Sequence, residues 1–172
     1  MLDLKHTRDE LNKFAKYVIQ QSRSNLTKYK KNASKELYNS LGYELSTHEQ
    51  SFSLAFLMEE YGMYQDKGVS GTKKKYDTPF AYTNKRPPAS AFSKWAVRKG
   101  IAPRDDSGKF TKRKGLQYAI ANSIYEKGIK PSLFFTKPFE RAFKNIDEAL
   151  VEAFALDVDN LLEYTLKDIK RY

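Results

Sequence analysis

The chain has 172 residues, a length that fits one domain, because domains commonly run to about 100–200 residues. Hydrophobic residues make up 40% of it, enough for a core, while a mean hydropathy of −0.71 and the lack of any window of about 18 apolar residues speak against membrane insertion. Cysteine is absent, which excludes disulfides, thiolate metal sites and a cysteine nucleophile and suits folding in a reducing cytoplasm, and the formal charge of +10 directs attention to anionic partners.

The opening MLDLKHTRDEL carries acids and no apolar stretch, so no signal peptide is expected there. Thr7-Arg8-Asp9-Glu10 reads as a capping box, with the Thr hydroxyl accepting from a backbone N–H and Glu10 reaching back. Leu11, Phe14, Ala15, Val18 and Ile19 then recur at helical spacing and predict a first amphipathic helix. The stretch 22–32 is polar apart from Leu26 and Tyr29, which leaves open whether that helix continues or frays. After Ser34 the period changes to two. Leu41, Tyr43 and Leu45 alternate, as do Phe52, Leu54, Phe56 and Met58, with Ser46-Thr47-His48-Glu49-Gln50 between them. Two such runs predict a β-hairpin with one buried face. Tyr61-Gly62-Met63-Tyr64 opens a tight segment ending at Gly68.

The charge is concentrated in the middle of the chain. Nine Lys or Arg face nine Asp or Glu over 1–66, and eight face nine over 115–172. Between 67 and 114 there are 14 bases against 3 acids, a net of +11. A localised excess implies a basic surface directed at something anionic: nucleic acid, an acidic rim of a neighbouring protein, or solvent alone. This middle segment has the features of an insertion, with Gly, Ser, Pro, Asn and Lys clustered over 69–76 and again over 84–88. Pro88 suits the first turn of a short helix with Phe92, Trp95 and Ala96 on one face and Gly100 past its end. Arg104-Asp105-Asp106-Ser107-Gly108 reads as a turn.

Leu116, Ala119, Ile120, Ser123 and Ile124 predict a helix stopped by Gly128. From Pro138 onward Phe139, Phe143, Ile146, Leu150, Ala153, Phe154, Leu161 and Leu162 describe one long amphipathic helix ending in Lys167, Lys170 and Arg171. The fold expected is α+β, an N-terminal helix and a long C-terminal helix packed on a small antiparallel sheet, with a basic loop and helix insertion.

No chemistry assembles from the sequence. His6 and His48 lack a second ligand or base at a motif spacing and read as exposed polar filler. Glu59-Glu60, Asp105-Asp106, Asp157 and Asp159 read as solvated charge. Gly68-Val69-Ser70-Gly71-Thr72-Lys73 lacks the spacing of a phosphate loop and reads as a turn. A helix-turn-helix over 90–127 is weakened by the length of the loop at 101–114 and by the lack of a recognition helix able to read base edges. The expectation is a protein without enzymatic activity, metal or cofactor. Its candidate contacts to a protein neighbour or to DNA phosphates are Lys73, Lys74, Lys75, Lys109, Lys112, Arg113 and Lys114. The 12 Tyr and 11 Phe read mainly as core, with subunit interfaces as their other common place.

Three stretches, in order, resemble the tail-completion or head–tail joining family of tailed double-stranded DNA phages. Ser34-Lys35-Glu36-Leu37-Tyr38-Asn39-Ser40-Leu41 is similar to the start of that family's first strand. Tyr61-Gly62-Met63-Tyr64-Gln65-Asp66-Lys67-Gly68-Val69 is similar to its Tyr-x-x-Tyr-x-Glu-x-Gly-Thr signature after the hairpin. Gly128-Ile129-Lys130-Pro131-Ser132-Leu133-Phe134-Phe135-Thr136-Lys137-Pro138-Phe139-Glu140 resembles its Pro-x-x-Phe-x-x-Pro-Ala entry into the last helix. Lys35-Glu36 stands where the family has Thr-Gly, Asp66 stands for Glu, and the insertion over 68–128 is longer than the family's usual one. That insertion looks similar to neck proteins of phages infecting Bacteroidetes, crAss-like ones among them.

The resemblance implies a single tail-completion-like domain over 1–172 and structural roles for Leu37, Ser40, Tyr61, Tyr64, Asp66, Gly68, Pro131, Phe134, Phe135 and Pro138. It also implies a homo-oligomeric ring in the virion neck or tail, assembled in the host cytoplasm between portal and tail proteins. Where the basic segment faces the channel it would meet packaged DNA without sequence choice; no membrane is involved. The alternative is a non-specific DNA-binding protein using the same basic segment.

Overall fold

The structure, a computed structural model, describes residues 4–31, 33–48 and 51–169, the last three of these by their backbone only. Its elements are helix α1 (Lys5–Lys28), helix α2 (Glu36–Ser40), strands β1 (Gly42–Thr47) and β2 (Phe52–Leu57), helix α3 (Tyr61–Lys67), a 3-10 turn (Ala89–Ala91), and helices α4 (Phe92–Arg98), α5 (Arg113–Lys127), α6 (Thr136–Phe143) and α7 (Ile146–Ile169). The fold is α+β, with helices packed on a two-stranded antiparallel sheet. The chain forms two compact units. The first comprises Met1–Asn25, Leu41–Leu57 and Phe135–Tyr172, and the second Leu26–Ser40 and Met58–Phe134. The basic insertion expected over 68–128 falls inside the second.

In the first unit, α1 follows the predicted stripe. Phe14, Ala15, Val18 and Ile19 are buried, and Leu11 is half-buried. The helix continues to Lys28. Its capping box does not form. The helix begins at Lys5, so Thr7 is inside it, and the Thr7 hydroxyl donates to Asp157 Oδ2 at 2.8 Å. Glu10 instead pairs with Lys13 at 2.9 Å. The physical reason is a competing cap. The Asp157 carboxylate on α7 accepts from the N–H of His6 and of Thr7, and a charged acceptor binds these donors more strongly than a local hydroxyl.

The hairpin has the predicted alternation. Its register runs from Gly42 opposite Leu57 to Thr47 opposite Phe52, so Ser46 and Thr47 belong to the strand. Phe52, Leu54 and Phe56 are half-buried while Ser53, Ala55 and Leu57 are exposed. Phe56 meets Phe14, Phe135 and Phe139 edge-on at centroid distances of 6.1, 5.3 and 5.9 Å. Such pairs each add about 0.5–1.5 kcal/mol beyond burial. Around them Phe14, Val18 and Ile146 form the centre of the core, with Leu54 and Leu150 packed against it.

The single long C-terminal helix is a correction. It is two helices, α6 and α7, broken at Lys144–Asn145, where the Asn145 N–H bonds Ala142 O three residues back and tightens the ladder. The stripe also sits differently. Ile146, Ala153 and Asp157 are buried and Leu150 is half-buried, whereas Phe143, Phe154, Leu161 and Leu162 are exposed by 53, 49, 39 and 53%. The buried edge runs through Ile146, Leu150, Ala153 and Asp157, spaced i+4, i+3 and i+4, so the neighbouring apolar positions face outward. Lys170 and Arg171 lie outside the described residues.

The stretch 34–41, which belongs to the second unit as far as Ser40 and to the first at Leu41, does not begin a strand as the resemblance implied. Ser34 Oγ accepts from the Glu36 N–H, α2 follows, and Leu37 and Leu41 are buried at 2% exposure each. The tight segment at 61–68 is helix α3. Pro88 stands directly before the 3-10 turn that leads into α4, whose Ala96 is buried and whose Trp95 is 40% exposed. The turn at 104–108 forms around Asp105, whose Oδ1 accepts from the N–H groups of Ser107 and Lys109 and from the Ser107 hydroxyl. Those donors hold the Asp105 carboxyl below its ordinary range, Ser107 contributing most. In α5, Leu116, Ile120 and Ile124 are half-buried, but the buried edge runs through Ala121, and Ala119 and Ser123 are exposed. Gly128, at φ 72°, ends the helix by donating to Ile124 O at 2.8 Å.

Candidate functional site

The second of the three stretches and the first half of the third are brought together in the second unit. Val69 and Ile129 exchange backbone hydrogen bonds at 2.9 and 2.8 Å. Ser132 and Leu133 donate to the Asp66 carbonyl at 3.1 and 2.9 Å, and the Ser132 hydroxyl donates to Gln65 O at 2.6 Å. Gly68, at φ 77°, leaves no room for a side chain, because a Cβ there would stand 2.6 Å from both Ile129 O and Pro131 Cδ. Gly128 and Gly71 pass each other equally closely, since a Cβ on either would collide with the other's backbone nitrogen. The requirement for glycine at 68 is therefore both conformational and steric.

The remaining motif residues are structural as well. Leu37 is buried on α2, and Ser40 Oγ donates to Leu37 O and accepts from the Glu59 N–H, both at 3.1 Å. Asp66 is buried at 2% exposure and Phe134 completely. Phe135 and the buried Pro138 belong to the first unit, so the third motif is divided between the two units.

Tyr61 and Tyr64 do more than pack. With Gln65, Val69, Phe80 and Tyr82 they line an open groove of about 640 Å³ in the second unit. Tyr64 meets Phe80 edge-on at 4.7 Å. Burial pushes the Tyr82 hydroxyl above the ordinary phenol value, and does so for Tyr61 against the opposing effect of its hydrogen bonds with the Leu37 backbone and the Ser34 hydroxyl. Both stay neutral at physiological pH, so the groove wall is aromatic and uncharged. Gln65, which lines it, has its Nε2 buried and without a hydrogen-bond partner. Nothing in the sequence marked this groove, because α3 and the irregular segment 79–82 come together through an isolated bridge between Ser70 and Ala81 and the contact of Tyr64 with Phe80.

The basic candidates form two groups rather than one patch. The N–H groups of Lys73 and Lys74 donate to Glu126 O at the last turn of α5, Lys73 Nζ pairs with Glu126 at 3.0 Å, and Lys75 Nζ donates to Gly71 O. Lys74 lies over the Tyr76 ring at 5.5 Å. Lys112, Arg113 and Lys114 stand at the other end of α5, all exposed. That helix has 15 residues, which at about 1.5 Å per residue separates the groups by roughly 20 Å. Lys109 is exposed in the turn before it, where Arg104 stacks over Phe110 at 4.1 Å.

Sequence windows understated the basic surface. Lys28, Lys30, Lys31 and Lys35 belong to the second unit, which holds 20 bases against 8 acids, whereas the first holds 11 against 13. Lys99 Nζ donates to Lys30 O at 2.8 Å, and burial, followed by the Lys99 charge, lowers the Lys31 ammonium from its ordinary value. Lys31 thus sits in a crowd of like charge.

Among the described residues no group of three His, Asp or Glu is placed to hold a metal ion, and no helix is long and apolar enough to cross a membrane. No family model, curated protein or solved structure matches the chain.

Proposed function

We propose that the chain is a structural virion protein, a subunit of a ring that joins the portal or head of a tailed bacteriophage to its tail. The observation that carries this reading is the shared seat of the second and third motifs. Val69 and Ile129 pair through their backbones, Ser132 and Leu133 donate to the Asp66 carbonyl, and Gly68 lies against Ile129 and Pro131. A motif whose residues serve the fold, and not a reaction, suits an assembly protein. The two-stranded hairpin leaves strand edges able to extend pairing to a neighbour, and repeated heterologous contacts close into rings. The partners on this reading are further copies, the portal, and other neck and tail proteins, in the virion after assembly in the host cytoplasm. No catalytic step and no cofactor is required.

The test is imaging of particles from a host making a tagged copy of this chain. Density for several symmetry-related copies between portal and tail is expected. Particles that assemble complete necks without the tagged chain would sink the reading.

A second reading is favoured by the 20 bases of the second unit: a DNA-binding protein that contacts phosphates without sequence choice. Duplex binding that falls steeply with salt, by a protein absent from particles, would select it.

A further inference from the structure

The exposed face of α7 has a chemistry that specifies its partner. At 100° per residue, Val151, Ala155, Val158, Leu162 and Leu166 fall on one stripe, spaced i+4, i+3, i+4, i+4. Val151, Leu162 and Leu166 are exposed by 70, 53 and 56%. Alongside runs a row of exposed acids, Glu148, Glu152, Asp159 and Glu163, at i+4, i+7 and i+4. From 146 to 166 the helix carries six acids and no Lys or Arg. An apolar stripe with the exposed Phe154 and Leu161 on one flank and a row of acids on the other is not suited to a second α7, because two such helices would set like charges against each other. It calls for an apolar groove flanked by bases.

The chain itself offers one. The aromatic groove of the second unit is uncharged along its wall and lies in the unit with 20 bases against 8 acids. Lys67 ends the helix that carries Tyr61 and Tyr64, and Arg86 stacks over Tyr125, whose ring is 6.3 Å from Tyr82. Glu36 and Glu59 stand beside Tyr61, so the complementary charge lies at the Tyr82 end of the groove. We propose that α7 of one copy docks its apolar stripe into the Tyr61–Tyr82 groove of a second copy, with the acid row against the bases beside it.

Each copy then presents both halves of a heterologous contact, so association repeats around a closed ring or along a filament. The proposal rests on the reading of the chain as a self-assembling ring subunit and names the contact that builds it. Burial of Leu162 and Leu166 supplies the apolar contribution, and the acid row sets direction and on-rate.

The experiment places a photo-activated benzoylphenylalanine at position 162 of the full chain and mixes isotopically heavy and light copies before irradiation. Heavy-to-light cross-links that map to residues 61–82 are expected. Glu152→Lys with Asp159→Lys, both exposed and outside the core, is expected to weaken self-association about tenfold at low salt, with the Gln and Asn versions between it and the parent. Circular dichroism of each variant controls for folding. Cross-links that join α7 to α7, that map elsewhere, or that stay within single copies at high protein concentration overturn the proposal. Such a result leaves the neck-ring reading standing, since that is judged by density on the particle. A cross-link at 61–82 from a protein absent from particles would keep the contact and discard the neck.

Discussion

A carboxylate buried in the middle of α7 needs donors, and Asp157 has three, all from the first turn of α1. The His6 N–H donates at 2.8 Å, the Thr7 N–H at 2.9 Å and the Thr7 hydroxyl at 2.8 Å. They satisfy N–H groups that the first turn of any helix leaves orphaned, and the negative charge lies at the positive end of the helix dipole. Burial works to raise the Asp157 pKa, but the hydrogen bonds from Thr7 and His6 outweigh it and hold the carboxyl below its ordinary value. Asp157→Asn keeps the shape and loses the charge, and is expected to cost about 1–2 kcal/mol near neutral pH. A group whose folded pKa lies below its unfolded value of about 3.9 contributes fully above that value and loses its contribution as pH falls through the folded one. The stability gap between parent and Asp157→Asn should therefore be constant near neutrality and close below about pH 4. Denaturant melts of both proteins across that range measure it; a gap that persists undiminished in acid would remove Asp157 from this role.

At the scale of elements, α5 begins against its own electrostatics. Its first turn contains no acid, Lys112 offers no side-chain cap, and Arg113 and Lys114 stand where the dipole is positive. A cation there costs roughly 0.3–1 kcal/mol relative to a carboxylate at an exposed helix start. Lys114→Glu is accordingly expected to stabilise the chain by a few tenths to about 1 kcal/mol while weakening its hold on any anionic partner. A rise in Tm with unchanged binding to DNA or to acidic partner subunits would take Lys114 out of the contact surface. The elements themselves were unevenly legible. Phe14, Val18 and the alternation of Phe52, Leu54 and Phe56 gave α1 and the hairpin away, because periodicity reports a buried face directly. The break at Lys144–Asn145 carries no Gly or Pro, and its one local mark, Asn145 ahead of Asp147 and Glu148, was overridden by an apolar stripe that runs on across it. Asp157 read as solvated charge because its donors are 150 residues away in the chain. The groove was hidden for a related reason: its walls meet through glycines whose need for closeness is visible only once Val69 and Ile129 pair.

On the scale of the whole molecule, charge is segregated between units, 11 bases against 13 acids in one and 20 against 8 in the other. Counting along the chain located the excess at 67–114 but missed Lys28, Lys30, Lys31 and Lys35, which folding assigns to the same unit. Such asymmetry favours head-to-tail association and also attracts DNA, and salt separates the two. Each phosphate neutralised on a duplex adds about −0.9 to the slope of log affinity against log salt. The groups at the two ends of α5 are roughly 20 Å apart, a span over which a duplex presents about 12 charges at one per 1.7 Å. A duplex lying along α5 would thus meet both groups, for a slope of about −5 to −6, and one crossing it would meet a single group, for about −3. Replacing Lys112, Arg113 and Lys114 together by Glu should then flatten the slope by about 3 in the first case and, in the second, abolish binding by a duplex that crosses at their end of α5. Fluorescence anisotropy of a labelled duplex over a salt series makes the measurement. A slope near zero in the parent, or one indifferent to the triple substitution, would mean that these bases face protein, for which the acid row on α7 of a second copy has the complementary charge.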